Sequence, residues 1–230
     1  YTGSGASGSV LNAVTVDFTV TEEEVEIETP DDPGTGAVTV SGELKKWHKV
    51  TLSFDGPFYA ELNAGINPFL DYRLLATFTN GEKTYEVPGY FAADGNAAET
   101  SAGEGNVWRV HFAPDEVGTW TYTVSFRLGS QVAISTEPEA GTPLPPIDGL
   151  AGTLEIGSTD KVIPDNRARG RLQYVGQRYL RYAETGEYFL KGGADAPENF
   201  LAYEDFDNTP NAGGRRKSWS PHAADWNAGD

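Results

Sequence analysis

Apolar and polar residues alternate with a period of two over much of the chain's first two thirds. The clearest stretch is Thr119–Phe126, where Trp120, Tyr122, Val124 and Phe126 share one parity and Thr121, Thr123 and Ser125 the other. In an extended chain successive side chains point to opposite faces. This segment is therefore expected to be a strand with one buried and one wet face, as in an antiparallel sandwich. Val50-Thr51-Leu52-Ser53-Phe54 and Val107–Phe112 alternate in the same way, and Tyr72–Phe78 less cleanly. Asn80-Gly81 between Phe78 and Lys83–Val87 is a strong hairpin signal. Asp55-Gly56-Pro57 and Asp115–Gly118 read as turns. Gly152–Ile156 reads as an edge strand after the prolines at 138, 143, 145 and 146. Strands at this spacing suggest an immunoglobulin-like sandwich.

The ends read differently. Residues 1–9 are a Gly/Ser/Ala/Thr leader, followed by alternating Val14, Val16, Phe18 and Val20. The parity then shifts to Val25 and Ile27, which puts Glu22, Glu24, Glu26 and Glu28 on one face. A solvated strand face and a cation site are the two readings of that face. Beyond Lys161, Arg171–Val175 and Arg178–Tyr182 form an expected hairpin around Gly176-Gln177, and Glu187–Lys191 an expected strand. From Ala194 to Asp230 the sequence is polar, aromatic and irregular.

Charge narrows the function. The 230 residues carry 17 Lys+Arg against 34 Asp+Glu, a net charge of −17. Such a balance argues against binding nucleic acid or an anionic membrane, both of which need a basic surface. Cysteine is absent, so thiolate chemistry and zinc–thiolate sites are excluded. The three histidines, His48, His111 and His222, have no metal-ligand spacing. Asp205-Phe206-Asp207-Asn208-Thr209 alternates oxygen ligands but lacks the rest of a calcium loop. No metal and no cofactor are expected. Nucleophile-elbow, Walker and dinucleotide patterns are absent as well.

Sugar rings stack on exposed aromatic faces, so the aromatics are the candidates for a binding platform. Trp108 and Trp120 sit at alternating positions and are expected in the core. Trp47 before a strand, and Tyr59, Tyr90 and Phe91 in expected loops, are the platform candidates.

Two stretches carry a resemblance. Glu43-Leu44-Lys45-Lys46-Trp47-His48-Lys49-Val50, Phe54-Asp55-Gly56-Pro57, Gly89–Gly95, Asn106–Phe112 and Val117–Tyr122 resemble the Ig-like domain of unknown function at the N-terminus of many bacterial glycoside hydrolases. Gly170–Tyr174, Tyr188–Asp195, Pro197–Leu201 and Tyr203–Asp207 resemble the opening of the (β/α)8 barrel that follows it there. The expected fold is mostly β: an immunoglobulin-like antiparallel β-sandwich, then a β-hairpin and the first strand of an incomplete (β/α)8 barrel. The expected division is 1–42 leader with a strand-like acidic segment, 43–160 sandwich, and 161–230 barrel start. A whole barrel takes about 250 residues.

The resemblance implies the N-terminal accessory part of a secreted bacterial glycoside hydrolase, its partners a polysaccharide and the remainder of the catalytic barrel. It places Asp195, Glu198 and Asn199 on the loop after the first barrel strand, at the active face. These residues either contact sugar or cap their own loop, with Glu198 paired to a base such as Arg215. Together with Trp47 and Tyr90 they are the candidate substrate-binding residues. The acid and nucleophile would lie on later strands, so no catalytic residue is nominated, and the chain alone is expected to be inactive. A carbohydrate-binding module and a structural Ig-like surface or assembly protein are the alternatives.

Overall fold

The computed structural model describes residues 27, 29–62 and 65–193. The expected leader strand, the four-glutamate face, Asp195, Glu198, Asn199 and the Asp205–Thr209 run lie outside the described residues.

Nine strands build two antiparallel sheets. They are β1 (Val38–Gly42), β2 (Val50–Ala60), β3 (Tyr72–Asn80), β4 (Lys83–Pro88), β5 (Tyr90–Phe91), β6 (Glu104–Phe112), β7 (Gly118–Leu128), β8 (Thr142–Pro143) and β9 (Ala151–Ile156). One sheet has the order β1-β2-β6-β5. The other runs β4-β3-β7, with β9 pairing Gly118–Thr123 of β7 and β8 pairing Arg127–Leu128. The register of β7 is the expected one. Trp120, Tyr122, Val124 and Phe126 are buried, whereas Thr121 and Thr123 are exposed.

The inner faces interlock through aromatic rings. Phe78 of one sheet stacks on Phe112 of the other with centroids 4.0 Å apart, and Trp108 meets Phe126 edge-on at 4.9 Å. Val50, Leu52, Phe54 and Val110 complete one inner face, and Leu74, Ala76 and Val124 the other. Each fully buried large side chain contributes about 1.5–3 kcal/mol.

Three local expectations change. Asp55-Gly56-Pro57 is not a turn, because β2 runs through it with a register shift between Asp55 and Tyr59. Gly56 lies so close under Trp108 that a Cβ there would sit 2.5 Å from the indole Cδ1. The Pro57 carbonyl accepts the Trp108 indole N–H at 3.1 Å. Proline has no N–H to give a ladder, and a bulge is where a strand tolerates it. Next, the sandwich starts before residue 43. β1 lies inside the expected leader and pairs with β2, Val40 opposite Leu52. The chain reaches it past Gly36, whose N–H donates to the Asp55 carbonyl at 2.8 Å. Asn80-Gly81 does turn β3 into β4, with Gly81 at φ 58 in the first central position, where a primed turn needs positive φ.

The third change concerns the chain after β9. The expected hairpin is a two-residue pair, β10 (Leu172–Gln173) with β11 (Arg181–Tyr182). Glu187–Lys191 is not a strand but a single antiparallel bridge, Arg181 to Tyr188. The turn at Gly186 (φ 71) folds it back on β11, and Leu190 is left 73% exposed with no neighbouring strand among the described residues. No closed barrel is present among the described residues.

Candidate functional site

Two of the expected binding residues, Trp47 and Tyr90, are described, and they occupy different places. Trp47 sits in the turn before β2 with φ 67, its backbone N–H on the Pro114 carbonyl at 2.8 Å. Its ring is half-buried in a junction between the sandwich end and the segment after β9. The indole N–H donates to Glu184 Oε2 at 2.8 Å, and Lys46 Nζ reaches the same oxygen at 2.7 Å. The Arg171 guanidinium lies 5.9 Å from the Trp47 ring centroid and 5.3 Å from that of Tyr85. Gly170 (φ 78) packs so closely that a Cβ there would meet Trp47 Cε2 at 2.9 Å.

Asp115 closes the junction. It is 7% exposed, and its Oδ2 accepts from Tyr85 Oη at 2.6 Å, Lys83 Nζ at 3.2 Å and Arg171 at 3.3 Å. Burial alone would raise its pKa, but the Tyr85 and Lys83 hydrogen bonds and the two cations outweigh it and hold the carboxyl low. Glu184 is held low by its bonds from Lys46 and Trp47. Sequence reading missed Asp115, Arg171 and Glu184. Asp115 was legible only as a turn residue, and nothing local marks a partner 56 residues away.

A second polar cluster lies beside this junction. Gly157 bridges Lys45 in parallel, which brings Asp160 next to Glu43. Glu43, His48 and Asp160 offer three ligand atoms within 4.8 Å of one another. A lysine already fills the place of a cation, because Lys45 Nζ lies 2.9 Å from Glu43 and 2.7 Å from Asp160. Lys161 approaches both carboxylates at 3.8 and 3.4 Å. His48 is buried and bonds to Thr159 Oγ1 at 3.0 Å, and desolvation is the chief cause that lowers its pKa. The donor set suits an ion-pair network and not a metal.

Asp160, whose hydrogen bond from Lys45 ties the segment after β9 to the sandwich, is pulled down to about 2 by it, whereas Asp165 is pulled down to about 2 by Arg167 within the segment itself. A depressed folded-state pKa stabilises above the unfolded value near 3.8 and loses that effect as pH falls through the folded value. The segment after β9 is therefore expected to detach between about pH 4 and pH 2. The Trp47 indole N–H resonance should shift over that range. Those of Trp108 and Trp120, bonded to the backbone carbonyls of Pro57 and Glu116, should stay in place. A Trp47 resonance constant down to pH 2 would contradict the expectation.

Tyr90 lies on β5, on the outer face of the β1-β2-β6-β5 sheet, 42% exposed. Its Oη is 3.0 Å from His111 Nε2, and His111 Nδ1 is 2.8 Å from Thr51 Oγ1. Its neighbour Phe91 is not a platform residue, being 3% exposed in the core against Trp108. Tyr59, also expected in a loop, lies on β2 with its ring on Tyr72. The structure brings Tyr90 and Trp47 to different surfaces, so they do not form one platform.

No curated protein matches the chain. Among solved structures the chain is similar to one described as "a putative glycoside hydrolase" from Bacteroides vulgatus, at 23% identity and a TM-score of 0.39. The match covers 63% of this chain and 20% of that one, so the chain spans about a fifth of that protein's length. Residues 43–127, from the turn that carries Trp47 to the end of β7, match the family described as "Domain of unknown function (DUF5060)".

Proposed function

We propose that this chain is the N-terminal accessory part of a secreted glycan-active hydrolase, an Ig-like sandwich that holds and orients the catalytic barrel beginning after β9. One observation carries the reading: the chain leaving the sandwich is clamped to it. Asp115 and Tyr85 hold Arg171, and Trp47 and Lys46 hold Glu184. A module that merely tethered its neighbour would continue into a flexible Gly/Ser- or Pro-rich linker. Here the connection runs from β9 through Gly157 to β10 and β11, fixed on both sides by charged hydrogen bonds. The sequence words at 188–207 that resemble a barrel opening follow directly on this arm.

Glycoside hydrolysis uses two carboxyl groups about 5–9.5 Å apart across the scissile bond. Among the described residues, Glu43 and Asp160 bring their carboxylates close together, and a lysine bridges them, as Lys83 bridges Asp115 and Glu116. The 230-residue chain is therefore expected to show no turnover on a panel of plant and marine polysaccharides, whereas the gene's continuation past Asp230, expressed with it, is expected to hydrolyse one of them. Turnover by the chain itself that survives repurification, or a stop codon directly after Asp230, would overturn the reading.

A second reading, a sandwich that itself holds glycan, is favoured by the exposed Tyr90 and its hydrogen-bonded His111 on a sheet face.

A further inference from the structure

The geometry points to the outer face of the β1-β2-β6-β5 sheet as a binding surface for an anionic polysaccharide, with Tyr90 under a sugar ring and Arg109 and Lys49 meeting its carboxylate or sulfate groups. This inference rests on the second reading above and names its ligand class.

The distribution of charge is the first support. Acids outnumber bases two to one in this chain, 34 to 17. Yet from the Gly42–Val50–Phe112 end to the Ser53–Arg109 row, the outward positions of this sheet carry no carboxylate. Asp55, at the far end, is occupied by Thr35 and Asn106. The other sheet differs, with Glu86 and Glu155 at exposed outward positions. Its arginines, Arg73 and Arg127, are spent on backbone carbonyls of residues 135–141.

The second support is register. Tyr90 stands opposite Arg109, Arg109 opposite Ser53, and Ser53 opposite Thr39, which makes one transverse row across all four strands. Strands about 4.8 Å apart give that row a span of roughly 15 Å, room for a short oligosaccharide. His111 and Thr51 form the adjacent row.

The third support is preorganisation. Arg109 Nε donates to Ser53 Oγ at 3.0 Å, which fixes the guanidinium and sets its Nη2 beside Gly95. Among the described residues neither Arg109 nor Lys49 has a carboxylate within 4.0 Å. Asp94, the acid whose charge feels Arg109, is held by Thr100 and the Asn96 N–H. Lys49, exposed just before β2, shares the parity of Thr51 and Ser53, whose partners on β6 are His111 and Arg109. Long-range repulsion by the net −17 does not cancel the patch, because screening limits it to about 8 Å at physiological ionic strength. A cation beside an aromatic face and a row of hydroxyls suits a sugar chain that carries anionic groups.

The test is affinity electrophoresis of the 230-residue chain through gels containing polygalacturonate, κ-carrageenan, neutral agarose or poly-L-glutamate. Retardation is expected with polygalacturonate or carrageenan, which distinguishes carboxylate from sulfate. None beyond the blank is expected with agarose or polyglutamate. K49Q/R109Q should weaken the retarding interaction at least tenfold, and Y90A by a similar factor, with melting temperatures unchanged. Equal retardation by polyglutamate, an inert Y90A, or no retardation by either anionic glycan would overturn the inference. Retardation by agarose that K49Q/R109Q leaves intact would also overturn it. All of these outcomes leave the accessory-part reading to its own test on the gene's continuation.

Discussion

Replacing Trp108 by alanine is expected to cost about 3–5 kcal/mol, the range for large-to-small changes at fully buried aromatics. Trp108 is 1% exposed and lies between the sheets, with ring centroids 4.9 Å from Tyr72, 5.2 Å from Phe91 and 4.9 Å from Phe126. The substitution removes those contacts and leaves the buried Pro57 carbonyl without its indole donor. Against a typical total stability of about 5–15 kcal/mol this is a large fraction. The midpoint of thermal unfolding should fall by roughly 10 °C. Thr123→Ala, on the wet face of β7, should change stability by no more than about 0.5 kcal/mol. A Trp108→Ala variant that melts within about 3 °C of the parent would mean that the two inner faces do not meet at this ring.

That contrast also marks what could be read from sequence. Trp120 to Phe126 were legible because a strand with one wet face writes its burial as a period of two. Asn80-Gly81 was legible because primed turns select for positive φ. β1 alternates too, as Val38-Thr39-Val40-Ser41, but it is a short edge strand with Val40 42% exposed, and the resemblance begins after it at Glu43. Asp55-Gly56-Pro57 misled because Gly and Pro serve bulges as well as turns, and only the indole of Trp108, on the adjacent strand, decides between them. The arm after β9 was over-read as strand, since its alternating aromatics find only two-residue pairing. Of the candidate site residues, Tyr90 is exposed on a sheet, whereas Trp47 is engaged in the junction.

The junction itself was not legible, for a reason that sets the last expectation. Ion pairs are chosen by tertiary geometry, and among 34 acids and 17 bases the pattern along the chain does not say which acid meets which base. Asp115 shows the difference that burial makes. Its carboxylate is 7% exposed, but Lys83 and Arg171 are 39% and 48% exposed, so either cation can swing into water when the acid is lost.

Breaking a fully buried pair costs about 3–5 kcal/mol, and these exposed partners reduce the expectation for Asp115→Ala to about 2–3 kcal/mol. Arg171→Ala should act differently, because it removes the arm's anchor and leaves the Asp115–Lys83–Tyr85 bonds of the sandwich in place. The expected signature is chymotryptic cleavage at Tyr174, Tyr179 or Tyr188 accelerated roughly tenfold or more, the factor for about 1.4 kcal/mol of lost anchoring. The sandwich should then melt at its usual temperature. Asp115→Ala should give both the faster cleavage and a lower melting temperature, and the double variant should cleave no faster than the quicker single one, since the two residues act through one contact. Unchanged cleavage in Arg171→Ala would show that the arm is held elsewhere and would remove the observation on which the orienting role of the sandwich rests.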